Sequence, residues 1–286
     1  MEAFDGVVFV RLRSYVRRSQ YLAADVDGIN VCLTSQRGTY NTVWAVHRGA
    51  SPDGDACVLL RSAYGRYLFT TGEPARLGPS HGFFAIQNNL VYNPTRPGFL
   101  WQPLRRRSSI VLRNVTGRFL RANGRYCRWL RLATVALDNG SNMMRWIVEK
   151  VPVAMTRPDS IDPIRQLVHR SHPLPTEGEM SREIGYIRAA DNGNIEDTPA
   201  AWRTTQLHTN SLMQLRVVLD TLLGPRGDVT HATICNRAGR YAQLTPLLID
   251  LPINNDRMDI VILKPGTQAD NDLRYPDLDA PVERRT

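Results

Sequence analysis

The sequence has very little lysine and few cysteines, and each scarcity limits what the chain can be. Lys150 and Lys264 are the only lysines, so 34 of the 36 basic residues are arginine. Arginine suits bidentate recognition of carboxylates and phosphates. A GC-rich coding sequence would give the same bias, so both explanations stay open. The four cysteines form no Cys-x-x-Cys pair, which gives a zinc site little support. The scarcity of cysteine favours a reduced compartment, with the cytoplasm expected first and the nucleus second.

Long apolar runs and catalytic motifs are also missing. No run reaches the roughly 18 apolar residues that suggest a membrane span, and Met1 to Asp5 show no signal-peptide pattern. The sequence has no Gly-x-x-x-x-Gly-Lys, Gly-x-Ser-x-Gly or His-Glu-x-x-His motif. His169 and His172 have no third ligand nearby, and we interpret them as a solvated pair. We therefore expect no enzyme activity, no cofactor and no metal site.

Charge is distributed unevenly along the chain. Residues 1–150 carry 21 basic and 9 acidic residues, a net charge of +12. Residues 151–286 carry 15 basic and 18 acidic residues, a net charge of −3. This asymmetry predicts that the first half meets an acidic partner.

Three copies of one pattern organise residues 1–150. Each copy has a Leu-Arg pair, then an aromatic-Leu pair, and later a Trp that begins a short apolar run. The Leu-Arg pairs are 48 and 52 residues apart. The copies are Leu12-Arg13 with Tyr21-Leu22 and Trp44, Leu60-Arg61 with Tyr67-Leu68 and Trp101, and Leu112-Arg113 with Phe119-Leu120 and Trp146.

Alternation around each Leu-Arg pair is the period-2 signature of a half-buried strand. Gly65 and Gly117 predict a tight turn in the second and third copies, and the first copy must build its turn differently. Four strands per copy give twelve strands. One copy cannot bury its apolar face alone, whereas three copies can close without a free edge. The sequence therefore predicts a β-trefoil, with a long irregular loop at 72–98 in the second copy.

The run from Val10 to Ser14, together with the later Gly-Arg-Tyr-Leu, Asp-Gly and Trp-x-Val elements, resembles the fascin-like, actin-crosslinking β-trefoils. The opening Met-Glu-x-Phe and the run from Phe119 to Gly124 resemble a plant family of unknown function, number five hundred sixty-nine in that series. The resemblance implies a fascin-like trefoil and the actin filament as a partner. A Gln two residues before the Trp, as in ricin-type lectins, is replaced by Thr42, Phe99 and Met144, which weakens a sugar-binding alternative.

The second half divides into a linker, a domain and a tail. Residues 151–181 are rich in Pro and predict a linker with a short helix at 161–168. Residues 182–265 predict the order β-β-α-β-β-β, with a helix at 212–223 and strands at 230–235, 241–244 and 258–263. This order resembles the ubiquitin-like β-grasp, an α+β fold that members of the same family carry here. Residues 266–286 predict a polar, disordered tail.

Five arginines are the candidate partner-binding residues. Arg61 and Arg113 belong to the repeat, where they either form a basic ring or pack their stems and bond loop carbonyls. Arg105, Arg106 and Arg107 form a solvated basic run between copies two and three. We expect a non-enzymatic binding or scaffold protein whose trefoil engages an acidic partner, with the ubiquitin-like domain as a protein-docking module. The alternative is an arginine-mediated binder of nucleic acid or phospholipid.

Overall fold

The computed structural model describes residues 2–75, 82–91, 96–123, 131–137, 140–158, 165–166, 180–224, 229 and 231–281. Within these ranges, no helix is both long and apolar enough to cross a membrane.

The described part of residues 9–151 forms twelve strands in three groups of four, joined in one sheet. The predicted mainly β class and β-trefoil are confirmed. The groups are β1 (Phe9–Ser14), β2 (Tyr21–Ala24), β3 (Val31–Thr34) and β4 (Trp44–Ala50); β5 (Ala56–Arg61), β6 (Tyr67–Pro74), β7 (Phe83–Asn88) and β8 (Trp101–Arg106); and β9 (Ser109–Asn114), β10 (Phe119–Ala122), β11 (Ala133–Ala136) and β12 (Arg145–Val151).

One hydrogen bond is repeated in all three copies. Each repeat Trp is fully buried, and its indole Nε1 donates to the carbonyl of the aromatic-Leu pair in its own copy at 3.1 Å. The bond satisfies the indole nitrogen inside an apolar core, where an unpaired donor would be costly. The pairs are Trp44 with Leu22, Trp101 with Leu68, and Trp146 with Leu120.

The register is threefold as well. The first strand of each copy pairs antiparallel with a Trp strand, and the repeat arginines occupy equivalent positions in these pairs. Arg13 lies opposite Ile147, Arg61 opposite Ala45, and Arg113 opposite Gln102.

The turn after each first strand also follows the prediction. Gly65 and Gly117 have φ of +75° and +86°, the left-handed conformation that the short hairpins require. The first copy builds its turn from local hydrogen bonds instead. There the Gln20 amide donates to the Arg17 carbonyl at 2.7 Å, and the Arg17 amide donates to the Ser14 hydroxyl at 3.2 Å.

The second domain has the predicted order β-β-α-β-β-β. Its sheet has the order β14-β13-β17-β15-β16, with β13 and β17 parallel at its centre, which is the β-grasp arrangement. The elements are β13 (Arg182–Arg188), β14 (Arg203–Leu207), α1 (Leu212–Leu223), β15 (Thr233–Asn236), β16 (Thr245–Pro246) and β17 (Met258–Leu263).

Helix α1 has the predicted bounds. The Ser211 hydroxyl accepts from the Gln214 amide at 3.4 Å, and Gly224 ends the helix with φ of +67°. The buried side is narrow, because Leu222 is 44% exposed. The helix buries Leu212, Leu215 and Leu219 against the sheet.

The predicted strand at 241–244 is wrong. Tyr241 is half exposed, and its amide donates to the Leu90 carbonyl of the trefoil at 3.2 Å, not to the second sheet. The short strand β16 follows it at Thr245–Pro246. The strand expected at 230–235 begins at Thr233, and residue 230 lies outside the described residues.

The predicted disordered tail is also wrong for residues 266–281. A short helix α2 spans Gln268–Asn271, after which the chain lies against the trefoil. The Ala154 amide donates to the Tyr275 carbonyl at 2.8 Å, and the Leu278 side chain joins the trefoil core. We call residues 275–280 the strap. Residues 282–286 lie outside the described residues.

Two other predictions fall wholly or partly outside the described residues. The expected helix at 161–168 is described only at residues 165–166, and neither His169 nor His172 is described. The loop expected at 72–98 contains the end of β6 and all of β7, so its described part is more regular than predicted.

Candidate functional site

The three repeat arginines have equivalent positions and different surroundings. Arg13 is partly buried, and its Nε donates to the buried Glu149 carboxylate at 2.7 Å. Arg61 is buried and donates to two main-chain carbonyls of the second domain. The Arg113 side chain is exposed and makes no hydrogen bond or ion pair with any residue that the structure describes. The repeat therefore does not form a basic ring.

Arg61 holds the two domains together. Its Nη1 lies 2.8 Å from the Gln243 carbonyl oxygen and 2.9 Å from the Leu244 carbonyl oxygen. Burial lowers the pKa of its guanidinium. The expectation that Arg61 contacts an external partner does not fit this position, because the side chain is enclosed and its Nη1 is already bonded. The loop-carbonyl interpretation of the repeat arginines holds here.

Other contacts join the domains on the same side of the trefoil. The Arg66 guanidinium donates to the Gly28 carbonyl at 2.7 Å and to the Asp256 carboxylate at 2.9 Å. The Ile253 amide donates to the Val26 carbonyl at 2.8 Å. In addition, Ile249 and Leu278 belong to the trefoil core cluster, and Ala242 packs in a second trefoil cluster. The second domain is thus docked on the trefoil.

Arg105, Arg106 and Arg107 lie in the hairpin between β8 and β9. Arg106 pairs with Ser109, which leaves a two-residue turn of Arg107 and Ser108. Such turns need a positive φ, and Arg107 has φ of +56°, unlike any other described residue except glycine. An arginine thus stands where glycine would be less strained by about 1–2 kcal/mol. We call residues 105–109 the arginine hairpin.

Arg145 supports the arginine hairpin from β12. Its Nε donates to the Ser109 hydroxyl at 2.8 Å, and its Nη2 donates to the Arg106 carbonyl at 3.2 Å. Its guanidinium also stacks 3.9 Å from the centre of the Tyr15 ring. These contacts fix the base of the hairpin while the arginine side chains at its tip remain exposed.

Positive charge accumulates around the hairpin. Two shallow clefts of about 470 and 440 Å³ flank it. Among the described residues that line them, five side chains are cationic and one is a carboxylate, a net charge of +4. The carboxylate is Glu2, which pairs with Arg105 at 2.9 Å on the exposed surface. The cations are Arg105, Arg106, Arg107, Arg145 and Lys150.

An apolar floor lies next to these charges. Paired residues across an antiparallel ladder share a face, so Arg106, Leu104 and Gln102 of β8 lie on the same side as Val111 and Arg113 of β9. We call these five residues the third-repeat face. Leu104 and Val111 pack with Phe119, Ala136 and Met144 in a cluster made only of trefoil residues among those described. The face combines two exposed arginines with the half-buried Leu104 and the buried Val111, an arrangement that can contact both a carboxylate and an apolar side chain.

Arg145 and Lys150 are not among the candidate residues that the sequence predicts. A signal for Arg145 was present, because the residue before the repeat Trp is Val43 in the first copy and Leu100 in the second. The arginine is thus a departure from the repeat, and departures are where binding sites break symmetry. No signal of this kind marks Lys150.

A larger cleft of about 580 Å³ lies between the domains. It is also rich in arginine, but its arginines face carboxylates. Arg257 pairs with Asp259 at 3.0 Å, and Arg237 lies 3.5 Å from Asp197. The charges of these arginines are therefore neutralised locally by carboxylates. Among the described residues, no group of three His, Cys, Asp or Glu side chains could hold a metal ion.

The ubiquitin-like sheet offers little free surface. Its face opposite α1 carries Ile187, Val261 and Leu263, which are buried under the domain's own loop and tail. The residues that cover it are Ala189, Ile195, Ala201, Trp202, Leu244, Ala269 and Leu273. The docking partner that the structure shows for this domain is the trefoil.

Comparison with known proteins gives two family matches. A family model described as "Beta-trefoil domain of unknown function (DUF569)" matches residues 1–153. A second model, described as "DUF569 associated ubiquitin-like domain", matches residues 180–263. No curated protein matches the chain.

Solved structures match the chain at low identity. A mosquitocidal holotoxin is 12% identical with a TM-score of 0.41, and the match covers 52% of this chain and 18% of the toxin. The designed threefold protein ThreeFoil is 18% identical with a TM-score of 0.38, covering 49% of this chain and 96% of that protein. The Polyporus squamosus lectin is 19% identical with a TM-score of 0.40, covering 52% and 51%. These likenesses carry no argument about what this chain binds.

Proposed function

The chain belongs to the DUF569 β-trefoil family with its associated ubiquitin-like domain, and from this premise we propose that it is a non-enzymatic binding protein whose trefoil engages an acidic partner. The observation that carries the proposal is the net charge of +4 that the described residues place around the arginine hairpin. The hairpin holds exposed arginine at a turn position where glycine is favoured. Backbone strain of this kind is typical of functional sites.

A protein partner is favoured over a single-stranded nucleic acid. Nucleic-acid grooves of that kind combine cations with exposed aromatic rings on which bases stack. Next to the arginine hairpin, the described aromatic rings are Tyr15, which lies against Arg145, and Phe119, which is buried. The apolar floor of Leu104 and Val111 fits a protein side chain instead.

The actin filament is the acidic partner to test first, because of the resemblance to actin-crosslinking trefoils. The chain contains one trefoil, whereas crosslinking needs two filament sites. We therefore propose filament binding without bundling. In this proposal the ubiquitin-like domain serves first as a module docked on the trefoil through Arg61 and the strap.

The test is pelleting of the full chain with actin filaments at low and moderate salt, beside an RNA-binding assay. The variant R105E/R106E/R107E reverses the charge of the hairpin. The matched control is R48E, since Arg48 is 60% exposed on β4 and, among the described residues, bears only an exposed pair with Asp5. We expect saturable pelleting that survives moderate salt, is lost in the triple variant and is kept in R48E.

Two results would contradict the proposal. Equal pelleting by wild type and triple variant would remove the hairpin from binding. Binding to RNA that matches binding to filaments, and that falls steeply with salt, would favour the nucleic-acid alternative, because counterion release makes such binding strongly salt-dependent.

A further inference from the structure

The threefold register gives the molecule three equivalent outward faces that can be compared with one another. Each face is built on a repeat arginine, the aromatic residue of the following strand and a residue of the Trp strand. That last residue lies two positions after the one opposite the arginine. The three sets are Arg13, Tyr21 and Glu149; Arg61, Tyr67 and His47; and Arg113, Phe119 and Leu104.

The first face satisfies its arginine from within the trefoil. Glu149 is 5% exposed at its side chain and accepts from Arg13 and Arg37. The strap closes the same face, since the buried Arg11 donates to the Leu278 carbonyl at 3.2 Å. Arg13 and Glu149 are thus already paired with each other within the trefoil.

The second face has no carboxylate at the equivalent position, and its arginine donates to main-chain carbonyls instead. His47 stands where the first face has Glu149, and burial followed by the charge of Arg61 lowers the pKa of His47 to about 3. The Arg61 Nη1 donates to the Gln243 and Leu244 carbonyls at 2.8 and 2.9 Å. The preceding residue, Ala242, packs among the apolar residues of the same face. A loop that presents successive carbonyls and an apolar side chain is therefore the ligand that this geometry accepts.

The third face has the same arrangement of strands, and no described residue binds its arginine side chain. Leu104 replaces the carboxylate of the first face, so Arg113 gains no acid from the Trp strand. The Arg113 side chain is exposed and forms no hydrogen bond or ion pair with a described residue. Unlike the second face, this one adds Arg106 and the rest of the arginine hairpin beside it.

The geometry points to the third-repeat face as a docking site for a loop of an acidic protein, held by main-chain carbonyls on Arg113, a carboxylate at the arginine hairpin and an apolar side chain over Leu104 and Val111. This inference rests on the proposed function and names the ligand of its site. Arg113 would bind the partner's carbonyls as Arg61 binds those of Gln243 and Leu244, and the arginine hairpin would add charge complementarity.

Two substitutions at Arg113 separate this geometry from simple charge attraction. Arg113→Ala removes the donors, and hydrogen bonds to a charged group contribute about 1.5–3 kcal/mol each, which is roughly a 10–100-fold loss of affinity. Arg113→Lys keeps the charge but replaces the planar fork of donors with an ammonium. If the partner's carbonyls accept from the planar guanidinium, both variants lose affinity for the partner. If charge attraction alone holds the partner, the lysine variant binds nearly as well as wild type.

The experiment selects random dodecapeptides displayed on phage against the full chain, and then measures binding of an enriched peptide by fluorescence anisotropy. We expect enriched peptides that combine carboxylates with an apolar side chain. We also expect a loss of about 10-fold or more in R113A and R113K, and no change in the matched R48A. Circular dichroism of each variant checks that it is folded, which the exposure of Arg113 favours.

Other outcomes overturn the inference. Peptides that lack acidic residues, or that bind R113A and R113K as well as wild type, remove Arg113 from the site. Full displacement of the peptide by an oligonucleotide or inorganic phosphate at equal concentration assigns the face to phosphate. The proposed function fails separately, when R105E/R106E/R107E keeps its binding to acidic probes. Loss in that variant with full binding by R113A leaves the proposed function standing and refutes only this inference.

Discussion

Replacing Arg61 tests how the two domains are coupled. Arg61→Met keeps most of the aliphatic volume and removes both bonds to the second domain, at 2.8 Å to Gln243 and 2.9 Å to Leu244. Two hydrogen bonds from a charged donor contribute about 3–6 kcal/mol together. Burying a guanidinium opposes this, as the lowered pKa of Arg61 shows. We expect a net loss of about 2–4 kcal/mol in the free energy of unfolding.

Urea unfolding of the full chain, followed by circular dichroism, measures this loss. Arg48→Met is the matched control, because Arg48 is 60% exposed and its one ion pair in the described part of the chain is with Asp5, itself 55% exposed. An exposed pair of this kind contributes less than about 1 kcal/mol. If Arg61→Met and Arg48→Met unfold at the same urea concentration, the assignment of Arg61 as an interdomain bond is refuted.

Three further predictions follow from buried groups. Trp101→Phe removes the indole donor to Leu68 and leaves a small void, so we expect a loss of about 2–4 kcal/mol in urea unfolding; a loss below 1 kcal/mol would contradict the bond. Leu278→Ala removes the strap side chain from the trefoil core and should cost about 2–4 kcal/mol by the same assay, whereas a disordered strap would cost nothing. For His47 the folded pKa is lowered to about 3, so the neutral form is favoured and stability falls as pH drops below the ordinary value of about 6.5. At pH 5 we expect His47→Gln to remove up to about 2 kcal/mol of the acid sensitivity seen in wild type; identical pH profiles for the two proteins would contradict the assignment.

The parts of the fold that depend on local pattern could be predicted from the sequence. The Leu-Arg spacing and the three Trp residues predict the trefoil, because alternating burial and repeated turns depend on residues that are close in the sequence. The bounds of α1 follow from Ser211 and Gly224, since caps act within one turn.

The role of Arg61 could not be predicted in the same way. Its local pattern matches that of Arg13 and Arg113, yet its acceptors lie at Gln243 and Leu244, more than 180 positions away. No local pattern distinguishes three arginines whose partners come from distant parts of the chain. The repeat therefore identified the three equivalent sites and not the occupant of each.

The strap was missed for a related reason. Residues 266–286 are polar, and composition alone predicts disorder. Besides the Leu278 side chain in the trefoil core, main-chain acceptors hold the strap: Ala154 pairs with Tyr275, and the buried Arg11 donates to the Leu278 carbonyl. Main-chain acceptors are present at every residue, so the sequence carries no sign of which ones are used.

The most direct measurement of the binding surface is arginine footprinting of the full chain with phenylglyoxal, with and without saturating actin filaments, read by mass spectrometry. Modification reports access to each guanidinium in the folded protein. If the trefoil binds through the arginine hairpin and the third-repeat face, filaments protect Arg106, Arg107 and Arg113 and leave Arg48 unchanged. Equal modification of all four residues with and without bound filaments, or protection of Arg48 alone, would contradict the account.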